Sequence, residues 1–186
     1  MRTFIAIRIP AEVKEGLKAV QALLDKGPGA ISWARPESIH LTLKFLGEVA
    51  EDRIDEIGRA LEKAAAGVEP FSLVIEGVGG FPTPKYPRVV WAGIIDNAGL
   101  SRLQRQVEEA MNGLGFEPEG RAFSPHLTLC RTKSTAEGRS MGRLLSEVRP
   151  ELKAAFDVSS VVLFKSVLKP AGAEYTALKE ILLRGR

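Results

Sequence analysis

Cysteine, histidine and long apolar runs are scarce in this chain of 186 residues. Cys130 is the only cysteine, which excludes an internal disulfide and a cysteine-based metal cluster. No apolar run approaches the ~18 residues that span a bilayer. Neither the apolar core nor the cleavage site of a secretion signal is present in the opening MRTFIAIRIP. We therefore expect a cytoplasmic protein that makes no contact with a membrane.

The remaining composition is that of an ordinary globular protein. Hydrophobic residues make up 45% of the chain and charged residues 26%, which excludes disordered and fibrous classes. The net charge of +3 permits an anionic partner without requiring one. Helical and alternating patterns interleave without a long linker, so residues 1–186 are predicted to form a single α+β domain with largely antiparallel sheets and packed helices.

The last two predicted strands close the pattern. They read FDVSSVVLFKSVL and AEYTALKEILL, and Pro170-Ala171-Gly172 separates them. Two β-rich runs joined by a short turn predict a closing hairpin.

An internal repeat carries the strongest functional signal. The pattern R-x-x-S-x-H-L-T-L occurs twice, as RPESIHLTL at 35–43 and as RAFSPHLTL at 121–129. A given tetrapeptide recurs in a chain of this length with probability roughly 10⁻³. The two copies also contain both histidines of the chain, His40 and His126. We therefore predict two interleaved, pseudo-symmetric lobes around a central cleft, each contributing one of these strands.

Strand alternation separates the side chains of each copy into two faces. Leu41 and Leu43 point one way, and His40 and Thr42 point the other. The second copy repeats this arrangement with Leu127 and Leu129 against His126 and Thr128. We expect the leucines to lie in the core and the His-Thr faces to line the cleft.

Two imidazoles and two hydroxyls form a set suited to phosphodiester chemistry. Histidine titrates near neutrality, so a pair can supply a base and an acid in one turnover. Threonine hydroxyls can donate to the non-bridging oxygens, whose charge grows in the transition state. This chemistry needs no metal and no cofactor. A two-histidine metal site is disfavoured because no third ligand cluster accompanies the pair.

Two neighbouring residues are interpreted by the same alternation. It places Cys130 on the side of His126, although a buried and unreactive thiol is its expected role. It places Phe45 with the core leucines, so core packing is expected there.

The paired HLTL stretches resemble the two HxTx motifs of the two-histidine (2H) phosphoesterase superfamily. Further similarity to its RNA 2′,3′-cyclic phosphodiesterases, also called 2′-5′ RNA ligases, lies in RTFIAIRIP, WARPESIHLTLKFLGEV and GGFPTPKYPRVVWAG. The resemblance implies a bilobed α+β fold with the motifs on opposing strands. It also implies metal-independent hydrolysis of RNA 2′,3′-cyclic phosphate ends to 2′-phosphate ends, with weak reversible 2′-5′ ligation at the same site.

The resemblance assigns roles to four residues. It implies that His40 is the proton donor, that His126 is the proton acceptor, and that Thr42 and Thr128 bind the phosphate. The expected partner is RNA with a 2′,3′-cyclic phosphate end, tRNA halves among the candidates, and the expected state is a monomer. Two alternatives stay open: a non-catalytic RNA- or nucleotide-binding module, and a 2′-5′ phosphodiesterase or tRNA-half ligase using the same site.

Four further residues are candidates for contacts with RNA. Lys85, Tyr86 and Arg88 flank a proline-rich loop and could meet phosphates or bases. Arg131 follows the second motif, although strict alternation places it on the face opposite His126.

Overall fold

Helices and antiparallel strands interleave along the computed structural model, which describes residues 1–25, 31–169 and 172–185. The strands are β1 (Arg2–Arg8), β2 (Ser32–Trp33), β3 (His40–Glu48), β4 (Phe71–Phe81), β5 (Val89–Ile95), β6 (His126–Arg131), β7 (Lys153–Val158), β8 (Ser160–Lys169) and β9 (Gly172–Leu182). The helices are α1 (Ala11–Leu24), α2 (Ile54–Ala65), α3 (Ala98–Gly113) and α4 (Thr135–Val148). None of these helices is long and apolar enough to cross a membrane.

The described strands form two sheets. One has the strand order β3-β1-β8-β9, and the other has the order β2-β6-β5-β4-β7. Every ladder within them is antiparallel, and each sheet takes strands from both the early and the late parts of the chain. The predicted α+β class is therefore confirmed.

Local sequence chemistry sets the starts of two helices. The Asn97 side chain accepts a hydrogen bond from the backbone N–H of Leu100 and so caps α3. Ser134 and Glu137, spaced as Ser-x-x-Glu, form a capping box at the start of α4. The Gly27-Pro28-Gly29 sequence, which predicts the end of the first helix, lies outside the described residues.

The apolar stripes of the helices pack against one face of each sheet. Leu17 of α1, Leu61 of α2 and Leu103 of α3 are fully buried in this core. Leu163 of β8 and Leu127 of β6 belong to the same cluster, so one continuous core backs both sheets. The opposite sheet faces carry the His-Thr residues, and we call them the cleft faces.

The predicted closing hairpin is confirmed, except that residues 156–158 at its start belong to a separate strand. Strands β8 and β9 pair from Ser160 opposite Leu182 to Lys169 opposite Gly172. However, the chain divides at Ser159, because β7 pairs with β4 in the five-stranded sheet and β8 pairs with β1 in the other. Alternation continues through such a change of sheet, so the pattern alone gives no sign of it. Residues 170 and 171 of the turn lie outside the described residues.

Candidate active site

Each repeated motif begins a strand, and the two strands lie next to each other. His40 is the first residue of β3, and His126 is the first residue of β6. Strands β3 and β6 are in contact although they belong to different sheets. The four leucines of the motifs are buried, whereas both histidines and both threonines are partly exposed. The predicted separation of the two faces is therefore present across both HLTL stretches.

The two imidazoles are held in the same way. Nδ1 of His40 lies 2.7 Å from the carbonyl oxygen of Ser38, and Nδ1 of His126 lies 2.7 Å from that of Ser124. A carbonyl oxygen only accepts, so Nδ1 carries the hydrogen in each ring. Neither Nε2 atom has a hydrogen-bond partner among the described residues. Each histidine therefore offers Nε2 for proton transfer.

The surroundings of the two imidazoles differ. The His40 ring stacks on Phe4, with ring centroids 4.6 Å apart, and meets Tyr175 edge-on at 5.0 Å. Burial lowers the pKa of His40, the Ser38 carbonyl opposes this change, and the charge of Lys14 adds to it.

His126 packs edge-on against a single aromatic neighbour that the described residues supply. This neighbour is Phe81 at the end of β4, and the ring centroids are 5.1 Å apart. The Phe81 ring in turn packs against Trp91. The two histidines therefore combine identical tethers with unlike surroundings.

The threonine hydroxyls are free for a ligand. Thr42 stands opposite Ala6 of β1, and Thr128 stands opposite Trp91 of β5. Both side chains are partly exposed on the cleft faces. Within the described chain, neither hydroxyl takes part in a hydrogen bond, so both can donate to an anionic oxygen.

A β-bulge at the end of the second motif changes the position of Arg131. Trp91 and Val89 point to one face of β5, and they pair with Thr128 and Arg131 of β6. Two residues lie between Thr128 and Arg131 on β6, whereas one residue lies between Val89 and Trp91 on β5. Strand β6 therefore carries one extra residue at this point, which is a β-bulge. Arg131 therefore shares the cleft face with Thr128, and the predicted opposite orientation is wrong.

Electrostatics support this position of Arg131. Tyr175 lies on β9 of the other sheet, and burial raises the pKa of its hydroxyl. The charges of Arg2 and Arg131 act in the opposite direction. Arg131 thus brings its positive charge close to the Tyr175 ring that abuts His40.

The same bulge turns Cys130 into the core. Cys130 stands opposite Val90, and both side chains are fully buried. The predicted orientation towards His126 is therefore wrong, whereas the predicted burial of the thiol is confirmed. Burial raises the pKa of Cys130 to about 12, which leaves the thiol protonated near neutrality.

The first motif contains an equivalent bulge. Phe4 and Ala6 share one face of β1, and they pair with Phe45 and Thr42. Phe45 consequently stands on the cleft face with 65% of its surface exposed, so its predicted core position is wrong. Lys44 takes the inward position instead.

Lys44 is the buried charge that sequence reasoning missed. Its Nζ donates to Oε1 of Glu108 at 2.6 Å and to the carbonyl oxygen of Glu117 at 2.8 Å. These bonds tie the strand that carries the first motif to α3. A lysine within an alternating strand gives no sequence signal for such burial.

The remaining predicted RNA contacts lie beside the cleft. Lys85, Tyr86 and Arg88 are exposed on the loop between β4 and β5, where the loop packs on α4. Sequence reasoning missed Phe4, whose stacking on His40 depends on long-range strand pairing. No cluster of three metal-ligating side chains occurs in residues 1–25, 31–169 and 172–185.

Comparison with known families places this geometry in context. The family model described as LigT like Phosphoesterase matches residues 7–91 and 95–175. The chain belongs to the LigT-like phosphoesterase family. A relative from Methanothermobacter thermautotrophicus, named RNA 2′,3′-cyclic phosphodiesterase, is 34% identical over 179 residues. The alignment covers 96% of this chain and 97% of the relative. One of the same name from Thermotoga maritima is 34% identical over 187 residues, covering all of this chain and 97% of its own.

Solved structures match the fold over nearly the whole chain. The protein TT0787 of Thermus thermophilus superimposes with a TM-score of 0.83 at 28% identity, covering 100% of this chain and 99% of its own. E. coli LigT complexed with 3′-AMP gives a TM-score of 0.79 at 25% identity, covering 98% and 97%. The LigT-like match therefore extends over both sheets.

Proposed function

We propose that the protein hydrolyses RNA 2′,3′-cyclic phosphate ends to 2′-phosphate ends. The observation that carries this proposal is the repeated His-Thr strand, with both Nδ1 atoms tethered to carbonyl oxygens and neither Nε2 atom bonded to a described residue. The relatives named RNA 2′,3′-cyclic phosphodiesterase support the choice of substrate.

In this reaction His126 acts as the general base. Its neutral ring carries hydrogen on Nδ1, so Nε2 can accept a proton from water. The water oxygen then forms a bond to phosphorus in line with the 3′-oxygen. After turnover, protonated His126 returns its proton to solvent, and His40 takes up a proton from solvent.

His40 acts as the general acid. As the bond between phosphorus and the 3′-oxygen breaks, Nε2 of protonated His40 gives its proton to that oxygen, which leaves a 2′-phosphate and a free 3′-hydroxyl. Burial against Phe4 lowers the pKa of His40, so its imidazolium gives up a proton more readily than an exposed imidazolium would. The donor role of His40 is the one that the resemblance implies for the first motif.

The remaining polar groups stabilise the charge on phosphate. Thr42 and Thr128 donate their free hydroxyls to the non-bridging oxygens, and Arg131 adds a positive charge on the same cleft face. An RNA 5′-hydroxyl in the position of water would attack the same phosphorus. Because the 3′-oxygen would still leave, that minor reaction would join the ends by a 2′-5′ linkage.

Product analysis tests the proposal. Adenosine 2′,3′-cyclic phosphate and an RNA decamer with the same end are incubated in excess EDTA, and the products are separated by chromatography. We expect the 2′-phosphate alone from both. Formation of the 3′-phosphate, or activity lost to EDTA and restored by zinc, would overturn the mechanism. A preparation of His40→Gln/His126→Gln purified in parallel controls for contaminating nucleases.

A further inference from the structure

An exposed set of cations lies beside the cleft, and we call it the basic face. It comprises Lys85 and Arg88 on the loop 82–88, Lys133 after β6, and Arg139 and Arg143 on α4. None of the five forms an ion pair with a described residue. Positive charges that are gathered on one surface without acidic partners raise the local concentration of a polyanion.

Two cavities between the loop and α4 run along the basic face. The first, of about 590 Å³, is lined by Lys85, Arg139 and Arg143. The second, of about 520 Å³, is lined by Arg88 and Lys133. Tyr86, whose surface is 47% exposed, lines both cavities, and among the described residues no acidic side chain lines either.

Two glycines of α4 allow the loop 82–88 to lie directly on the helix. A side chain at Gly142 would overlap the backbone carbonyl of Lys85, and one at Gly138 would come within 3.1 Å of the carbonyl oxygen of Pro87. The Thr132 hydroxyl also donates to the Pro87 carbonyl at 2.8 Å. The backbone of the loop is therefore held directly against α4, with the cations of both segments on one surface.

The basic face is continuous with the candidate active site. The loop starts after Phe81, whose ring packs against His126. On the other side, Lys133 follows the cleft residue Arg131 by two positions, and Thr132 is bonded through its N–H to the carbonyl of Arg88. A chain whose end lies at His126 can therefore leave the cleft along this surface.

We propose that the basic face binds the single-stranded RNA that leads to the terminal cyclic phosphate. This proposal rests on the proposed function and extends its substrate from a nucleotide to a chain. A 2′,3′-cyclic phosphate occupies both oxygens of the last ribose, so the RNA continues only from its 5′ side and needs one exit surface. The cations contact successive phosphates. An unpaired base stacks on Tyr86, as is usual for single strands on aromatic side chains.

Charge removal on α4 tests the phosphate contacts. Each phosphate contact to a single strand contributes about 0.7 to the slope of log affinity against log salt concentration. Taking the contribution of a contact as zero at 1 M salt, the loss of two contacts lowers the affinity at 0.1 M salt by about 25-fold. We expect Arg139→Gln/Arg143→Gln to raise KM for the RNA decamer by up to that factor with kcat unchanged. Adenosine 2′,3′-cyclic phosphate lacks the upstream phosphates that α4 is proposed to contact, so its kinetics should stay unchanged.

A matched pair on another surface is the control. Arg59 and Lys63 are exposed on α2, which packs on the core side of the four-stranded sheet. Arg59→Gln/Lys63→Gln removes the same charge and should leave KM for the decamer unchanged. Equal increases in KM for both pairs would reduce the effect to net charge and overturn the proposal.

Substitutions at Tyr86 distinguish the contribution of base stacking from that of charge. Tyr86→Phe keeps the aromatic face and should bind the decamer as the wild type does, whereas Tyr86→Ala should weaken binding by roughly 5-fold or more. Equal binding by both variants would remove the stacking step. A fully duplex RNA end should bind less tightly than the single strand, and the opposite order would contradict the proposal.

A binding measurement keeps the two proposals distinguishable. Fluorescence anisotropy with a labelled decamer ending in a 2′-phosphate reports on the basic face without turnover. Tight, salt-dependent binding by a protein that hydrolyses neither substrate would refute the proposed function alone. Hydrolysis of both substrates with equal KM in the wild type would refute the RNA-binding face alone. Displacement of RNA by poly-glutamate at equal charge would assign the face to an acidic protein and overturn the proposal.

Discussion

The assignment of donor and acceptor to two similarly tethered histidines can be tested with a changed leaving group. In the proposed reaction the 3′-oxygen leaves as a poor leaving group and needs a proton. In 3′-deoxyadenosine 2′-(p-nitrophenyl phosphate), p-nitrophenolate takes that position and leaves without one. A variant that lacks the acid should therefore recover on this ester, and a variant that lacks the base should not.

The expected magnitudes follow from the roles. A general acid or base contributes about 10²- to 10⁴-fold in rate, which corresponds to about 2.7 to 5.4 kcal/mol of the barrier. We expect His40→Gln and His126→Gln each to lose that much on the cyclic phosphate. On the p-nitrophenyl ester, His40→Gln should come within about 10-fold of the wild type, while His126→Gln keeps its full loss.

The assay follows release of p-nitrophenolate, with thermal unfolding as the control for structure. His40→Gln also removes the stacking on Phe4, so a lower Tm by itself would be no surprise. Recovery of the His126 variant instead of the His40 variant would reverse the roles. Recovery of neither would refute the account of leaving-group protonation, and near-full activity of either variant on the cyclic phosphate would refute the paired mechanism.

Three other measurements test the site. Thr42→Val and Thr128→Val should each lower kcat by about 10²-fold through loss of a donor, and wild-type rates in both would mean that the hydroxyls do not contact the phosphate. NMR titration should give His40 a pKa below its ordinary value of about 6.5, because burial lowers it, and Lys14→Gln should raise that pKa. The unfolded state then binds a proton more readily, so this group makes the free energy of unfolding rise with pH between its folded pKa and about 6.5. Cys130 should resist iodoacetamide at pH 8 until the protein unfolds, and rapid labelling of the folded chain would contradict its burial.

The repeat was enough to predict the chemistry because its residues lie next to one another on a single strand. A period of two places His40 with Thr42 and Leu41 away from them, whatever the rest of the fold does. The Nδ1 tether also lies two residues from each histidine, in the repeated serine. Local relations of this kind survive into the structure unchanged.

Relations that depend on a second strand could not be predicted in this way. The bulges after Thr42 and Thr128 add one residue to each strand. Beyond each bulge, the assignment of residues to the two faces by strict alternation is therefore reversed. For this reason Phe45 and Arg131 stand on the cleft faces, against the prediction. The stacking of Phe4 on His40 likewise requires β1 and β3 to be neighbours, which no periodicity states.

The two bulges also explain how a repeated scaffold produces an asymmetric site. The same backbone step presents Phe45 beside the first motif and Arg131 beside the second, so the two copies place an aromatic ring and a cation at equivalent positions. The first histidine is buried against aromatic rings, which favours loss of its proton. Hydrolysis requires one protonated and one neutral imidazole at the same pH, and two histidines in equal surroundings would have no preference between the two states. The repeat therefore supplies the geometry of proton transfer, and the residues that differ between the copies make the two imidazoles chemically unequal.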